Sequence, residues 1–142
     1  MAKKSGRRPP PRCKAILICE QVIVEAVTGK CSIIGVLQSF FVDDPPSKTN
    51  RFSVFLQLTN GDGEYGVTIE IHDMEDGEVL ATLPDLTVEL PDRLSVKNLI
   101  IVCPPLPVDH AGSYDLVVFA DDEEIDRQRF HIHAKDEIDE DE

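Results

Sequence analysis

Apolar residues alternate with polar ones from Gly112 to Ala120 and again from Ile125 to His133, with the acidic run Asp121-Asp122-Glu123-Glu124 between them. A period of two over that length predicts strand, turn and return strand. Parity then limits the pairing, because a slip of one residue sends every side chain to the opposite face. If Asp121 faces Ile125, Tyr114, Leu116 and Val118 lie opposite Ile132, Phe130 and Gln128, and two apolar rows share one face. The alternative, Ala120 facing Ile125, sets Leu116 and Val118 against Arg129 and Arg127. The first register is therefore expected. It implies a three-residue loop, Asp122-Glu123-Glu124, with no glycine for the left-handed position such loops favour.

The rest of the chain supplies strands to cover this hairpin. Lys14–Val24 and Lys30–Val42 are rich in Ile and Val and meet at Thr28-Gly29. Ala15 to Cys19 is apolar on both faces, which suits a strand inside a sheet or under a loop. Gly35 interrupts the second strand and marks a bulge or a close backbone approach. Phe40 and Phe41 follow as anchors, and Asp43-Asp44-Pro45-Pro46 ends the strand. Phe52 to Leu58 and Tyr65 to Ile71 alternate cleanly, joined by Asn60-Gly61-Asp62-Gly63. Asp73 to Gly77 is a second turn. Glu78–Leu83, Leu86–Leu90 and Val96–Val102 complete the set, with Pro91 and Pro104-Pro105 as stops. Eight or nine short strands, regular turns and no helical periodicity predict an all-β, antiparallel β-sandwich of immunoglobulin type.

Composition sets the boundaries. At 142 residues and 42% hydrophobic content the chain fits one domain, and a chain of this size buries roughly two-thirds of its unfolded surface. Residues 1–13 form a basic, proline-rich stretch without apolar periodicity, expected to be disordered with polyproline character at Pro9 to Pro11. Residues 136–142 are an acidic tail, leaving 14–135 as the domain. The six basic residues among the first fourteen and the six acidic ones among the last seven offset each other, so the stretch between them carries the net charge of −13. A body this acidic repels nucleic acid and anionic membrane. No apolar run approaches the roughly 18 residues of a membrane span, and a cytoplasmic protein is expected. Cys13, Cys19, Cys31 and Cys103 lack CxxC spacing and are expected as reduced, small apolar residues.

Gly112-Ser113-Tyr114 resembles the tyrosine corner of immunoglobulin-like sandwiches, in which a Tyr entering the penultimate strand bonds back to the backbone just upstream. Antibody-type domains carry Asp where His110 stands, Cys where Leu116 stands, and a core Trp that is absent here. Cys19-Glu20, Gly29-Lys30, Ser32-Ile33-Ile34-Gly35-Val36-Leu37 and Gly112-x-Tyr114 together resemble a group of bacterial proteins known only as a domain of unknown function. That resemblance covers roughly Ala15 to His133. It implies an immunoglobulin-like sandwich, and brings no activity, cofactor or site. Gly35, Gly112 and Tyr114 are its structural residues, and Glu20 is expected to pair with a base such as Lys30.

No sequence signature of catalysis is present. A hydrolase needs a nucleophile, a base and an orienting group converging on one point; Asp109, His110 and Ser113 are only neighbours along a loop, and no Gly-x-Ser-x-Gly elbow appears. Asp73-x-x-Asp76-Gly77 lacks the ligand spacing of a calcium loop. Asp43-Asp44 and Asp121 to Glu124 read as solvated loop charge rather than a calcium site. His131 and His133, two apart on a strand, could reach one zinc ion with Asp115 opposite, but Arg127 and Arg129 oppose a dication, and an Asp115–His131 cross-strand pair is the expectation. No metal or cofactor is assigned. The outer face of the hairpin mixes apolar and basic groups in an acidic body, so Val117, Phe119, Arg127, Arg129 and His131 are the candidate contacts for a protein partner. The reading is a non-enzymatic interaction module; the alternative is a small hydrolase or metal-dependent enzyme using loop-end carboxylates and histidines.

Overall fold

A computed structural model of the chain describes residues 9–135. Residues 1–8 and 136–142, most of the two tails, lie outside the described residues. The described elements are strands: β1 (Arg12–Val24), β2 (Cys31–Val36), β3 (Ser39–Val42), β4 (Ser47–Lys48), β5 (Phe52–Thr59), β6 (Gly63–Asp73), β7 (Val79–Thr82), β8 (Leu86–Leu90), β9 (Val96–Cys103), β10 (Pro107–Val108), β11 (Gly112–Ala120) and β12 (Glu123–Ala134). One sheet has the order β2-β1-β5-β9, and the other runs β3-β12-β11-β6-β7 with β8 also on β6. β4 and β10 form a two-stranded ribbon.

This is an immunoglobulin-like sandwich. β1, β5 and β9 stand where strands A, B and E belong, and β6, β11 and β12 where C, F and G belong. β5 is buried on both faces over most of its length: Phe52, Val54, Leu56 and Leu58 point into the core, and Ser53 and Phe55 are buried on the other side. Across the core these meet Val67, Ile69 and Ile71 of β6 and Tyr114, Leu116 and Val118 of β11. Phe40 ties the two layers together, edge-on to Phe52 at 4.9 Å and to Phe130 at 5.5 Å.

The expected single strand from Lys30 to Val42 is two strands in different sheets. β2 pairs with β1, and after Leu37-Gln38 the chain crosses over so that β3 runs parallel to β12. Only one of the two expected anchors is buried as a result: Phe40 enters the core, while Phe41 is exposed and stacks on His133 at 5.3 Å. Gly35 marks a close approach rather than a bulge. Its φ is +69°, and a Cβ there would sit 2.8 Å from Cγ of Glu20 on the neighbouring strand. Glu20 makes no ion pair with Lys30 among the described residues, because Lys30 lies at the far end of the hairpin, where its backbone carbonyl accepts the Glu25 N–H.

The β11–β12 hairpin keeps the expected parity but not the expected register. Tyr114 faces Phe130, Leu116 faces Gln128 and Val118 faces Asp126, a slip of two residues, with a bulge between Val118 and Phe119. The loop is Asp121-Asp122, at φ +50° and +69°. Two positive φ values in succession give the tight turn whose twist matches paired strands. The bulge at Ile125 takes up the odd residue and restores the apolar rows to the core.

Candidate protein-interaction surfaces

The end of the sandwich near Gly112 is held by a corner. The Tyr114 hydroxyl donates to the His110 carbonyl at 2.7 Å, and the His110 ring stacks on Tyr114 with centroids 5.7 Å apart. Gly112 makes the entry at φ +150°. Both imidazole nitrogens of His110 face oxygens: Nδ1 lies 2.8 Å from the Ala111 carbonyl and Nε2 lies 2.7 Å from Asp73 Oδ2. Hydrogen bonds to the Ala111 carbonyl and to Asp73 raise the His110 pKa above the ordinary histidine value, against a smaller opposing effect of burial. Ser113 instead shares a hydrogen bond of 3.1 Å with His131 on the outer face. His110 therefore serves the corner, with its ring turned to Asp73 and Ser113 engaged elsewhere.

The outer face of the six-stranded sheet is closed upon itself. Asp115 is 1% exposed and stands opposite Arg129, not opposite His131. The two-residue slip moves every β12 partner, so the expected Asp115–His131 pair does not form. Arg127 Nη1 donates to Asp115 Oδ2 at 2.8 Å, and Arg129 Nε donates to Asp115 Oδ1. Arg127 also clasps Glu124 with two bonds of 2.8 and 2.9 Å. Burial pushes the Asp115 carboxyl up, but the hydrogen bonds and charges of Arg129 and Arg127 outweigh it and hold the pKa below the usual carboxylate value. Val117, flanked in register by Glu70 and Arg127, has no exposed surface and so offers a partner nothing. Phe119 is half-buried and His131 exposed. Next to this network, His72 Nε2 lies 2.8 Å from Glu70, and Thr68 donates to Asp85 at 2.7 Å. Among the described residues no cluster of three or more His, Cys, Asp or Glu is arranged to hold a metal ion.

The four-stranded sheet presents the opposite chemistry. The even-numbered β5 positions face the core, so Ser53, Phe55, Gln57 and Thr59 face outward. Register carries that face across the sheet: Leu17 and Cys19 on β1 lie opposite Phe55 and Ser53, and Ile34 and Val36 on β2 lie opposite Gln21 and Cys19. On β9, Val96, Asn98, Ile100 and Val102 lie opposite the outward β5 residues. Of the outward positions on these strands, only Arg12, opposite Thr59 at one end of β1, carries a charge. Val36 and Val102 are 54% and 58% exposed, and Ile34, Val96 and Ile100 are also exposed. The polar side chains present are largely paired among themselves: Gln57 donates to Asn98 at 3.0 Å, and Thr59 to the Ser95 carbonyl at 2.8 Å.

At one end the face runs out into an arm. β1 pairs with β5 only as far as Cys19, whereas its pairing with β2 continues from Cys19 to Val24. Ile23, Val24 and Val27 are exposed on this two-stranded projection, Val27 to 90%. Recesses of about 390 Å³ and 370 Å³ lie where the arm leaves the body, and Glu20 and Arg51 line both. A third recess, of about 330 Å³, is walled mainly by Pro84, Pro104, Pro105, Pro107 and Leu83; the thiol beside it, Cys103, is pushed up to about 12 by burial. All four cysteines are free, two of them buried and two partly buried. Among the described residues no helix is long and apolar enough to cross a membrane.

Residues 14–133, the whole of this sandwich with its arm and corner, match the model of a family of unknown function, DUF6941. The chain belongs to that family. No curated protein matches the sequence. Among solved structures, the chain is similar in fold to part of the Pseudomonas fluorescens alkylpurine DNA glycosylase AlkC, solved with DNA containing an abasic site analog (TM-score 0.54, 9% identity, 91% of this chain and 32% of that one). It is also similar to part of a β-glucosidase from Listeria innocua (TM-score 0.47, 8% identity, 87% and 16%). An immunoglobulin-like protein from Pseudomonas aeruginosa matches over its full length (TM-score 0.40, 16% identity, 90% of this chain and 100% of that one). The chain thus spans about a third of the glycosylase and a smaller part of the glucosidase.

The outer face of the four-stranded sheet escapes a reading of the sequence alone. Its signal is the near absence of charge at alternate positions of four strands, Arg12 excepted, and those positions are recognisable as one surface only once the strands are paired in register.

Proposed function

We propose that the chain is a non-enzymatic protein-interaction module that works through the outer face of its four-stranded sheet. One observation carries this reading: in a chain of net charge −13, a sheet-wide face has no carboxylate, carries a charge only at Arg12 on its end, and leaves Val36, Ile100 and Val102 open to solvent. Contiguous exposed apolar surface of that extent marks an interaction site on a soluble protein. The opposite sheet supports the same assignment by contrast, since its arginines already hold Asp115 and Glu124. A contact there would have to compete with bonds the chain already makes.

A photo-reactive amino acid placed at Ile100, and separately at His131, tests the reading in the native cell. Cross-linked adducts are expected from position 100 and not from 131. Adducts from position 131 alone, or from neither, would overturn it.

A further inference from the structure

Resting on that reading, we infer that the occupant of that face is a second copy of this chain, so that the module is a twofold dimer joined sheet to sheet. The first argument is charge. Two chains of −13 repel wherever carboxylates meet, and the turns at Asp43-Asp44, Asp73 to Glu78 and Asp121 to Glu124 make most approaches unfavourable. A foreign partner chosen by an acidic chain is ordinarily recruited through charge complementarity. A face with no carboxylate and a single arginine at its end gives up most of that attraction; what it permits is the approach of a like-charged body.

The second argument is area. Three strands about 4.8 Å apart, with about eight residues each rising about 3.3 Å, cover roughly 380 Å² in projection, and the arm, in which β2 lies beside the end of β1, adds about 160 Å². Two copies therefore bury about 1,100 Å² before side-chain relief is counted, above the roughly 1,000 Å² that a specific interface should clear.

Geometry agrees. Aligned sheets pack face to face about 30° apart, and a twofold interface requires the same patch on both partners. Covering this face strands few polar groups, because Gln57, Asn98 and Thr59 are already bonded. The arm also needs a cover. A two-stranded ribbon is marginal in water by itself, and beyond Cys19 this one has only its own two strands; in the dimer its Ile23, on the same face as Cys19 and Gln21, lies against the other copy.

Such a dimer has an unusual salt response. Its contacts are apolar while its bodies repel, so screening should tighten it, whereas an interface of opposite charges loosens in salt. Sedimentation equilibrium of the full chain at about 50 mM and about 500 mM salt, roughly a threefold change in Debye length, is expected to show a dimer whose dissociation constant falls severalfold at the higher salt. Ile100→Lys and, independently, Val36→Lys should each weaken it more than tenfold, with the β spectrum retained. Thr68→Lys on the opposite sheet should leave it intact. A monomer up to about 100 µM, a weak-binding threshold of about −5.5 kcal/mol, would overturn the inference, as would a dimer that loosens in salt or ignores both lysine variants. A monomer in solution together with cross-links from position 100 to a chain of different mass would sink the second copy while keeping the module. Loss of both would sink the two readings together.

Discussion

His110 and Tyr114 show how one residue fixes another. The tyrosine hydroxyl satisfies the His110 carbonyl, and the histidine ring covers the tyrosine and reaches Asp73 at the end of β6. Tyr114→Phe leaves that carbonyl without its partner and should cost about 1–3 kcal/mol in denaturant unfolding. His110 adds a pH dependence. Its folded pKa is raised above the ordinary value of 6.5, so its contribution is complete below the unfolded pKa and lost as pH rises through the folded one. Stability should therefore decline on that alkaline side, and His110→Gln should flatten the decline; an unchanged slope would assign it to other groups. The corner was legible in the sequence because Gly-x-Tyr is local. Asp73 was not, since it reaches His110 from 37 residues away, at the end of another strand.

At the scale of the element, the closing hairpin separates what a pattern determines from what it leaves open. Alternation fixes which side chains face the core, and the sequence gives that correctly for Tyr114, Leu116, Val118, Phe130 and Ile132. It cannot distinguish registers two residues apart, because both present the same face. The choice fell to the turn, where Asp121 and Asp122 accept left-handed backbone without glycine, as short polar side chains do more readily than others. Their roles differ. Asp121 Oδ1 accepts the Gly66 N–H at 2.9 Å, whereas Asp122 contributes only its conformation and a charge within an acidic run. Asp122→Gly should raise stability by about 0.5–1 kcal/mol in thermal or denaturant unfolding, from relief of the positive-φ strain. Asp121→Gly should not, because it removes the bond to Gly66. Equal effects of the two substitutions would count against this division.

Across the whole molecule the two sheets treat their outer faces in opposite ways, and the difference rests on one buried carboxylate. Composition and turn spacing were enough to indicate a two-layer sandwich, but which outer face closes on itself depends on pairings between distant strands. On the six-stranded sheet, Asp115 on a central strand draws in Arg127 and Arg129 and leaves little of their charge for others. Breaking a buried pair by removing the partners is far costlier than its net contribution, because the remaining charge stays desolvated. Arg127→Ala with Arg129→Ala should thus lower stability at neutral pH in denaturant unfolding, while either single change should cost less, since one arginine still holds the carboxylate. The sign of the pH response should also invert. In the native chain the Asp115 pKa is depressed, so its stabilisation is present above the unfolded value of about 3.9 and lost as pH falls through the folded one. Without the arginines only burial remains, and it raises the pKa, so lowering the pH neutralises the stranded charge and recovers stability. The gap between double variant and native chain should therefore narrow steadily from neutral pH toward pH ~4 in denaturant titrations. A gap that stayed constant would mean that packing of the arginine stems over Val117, rather than their charge, holds this face together.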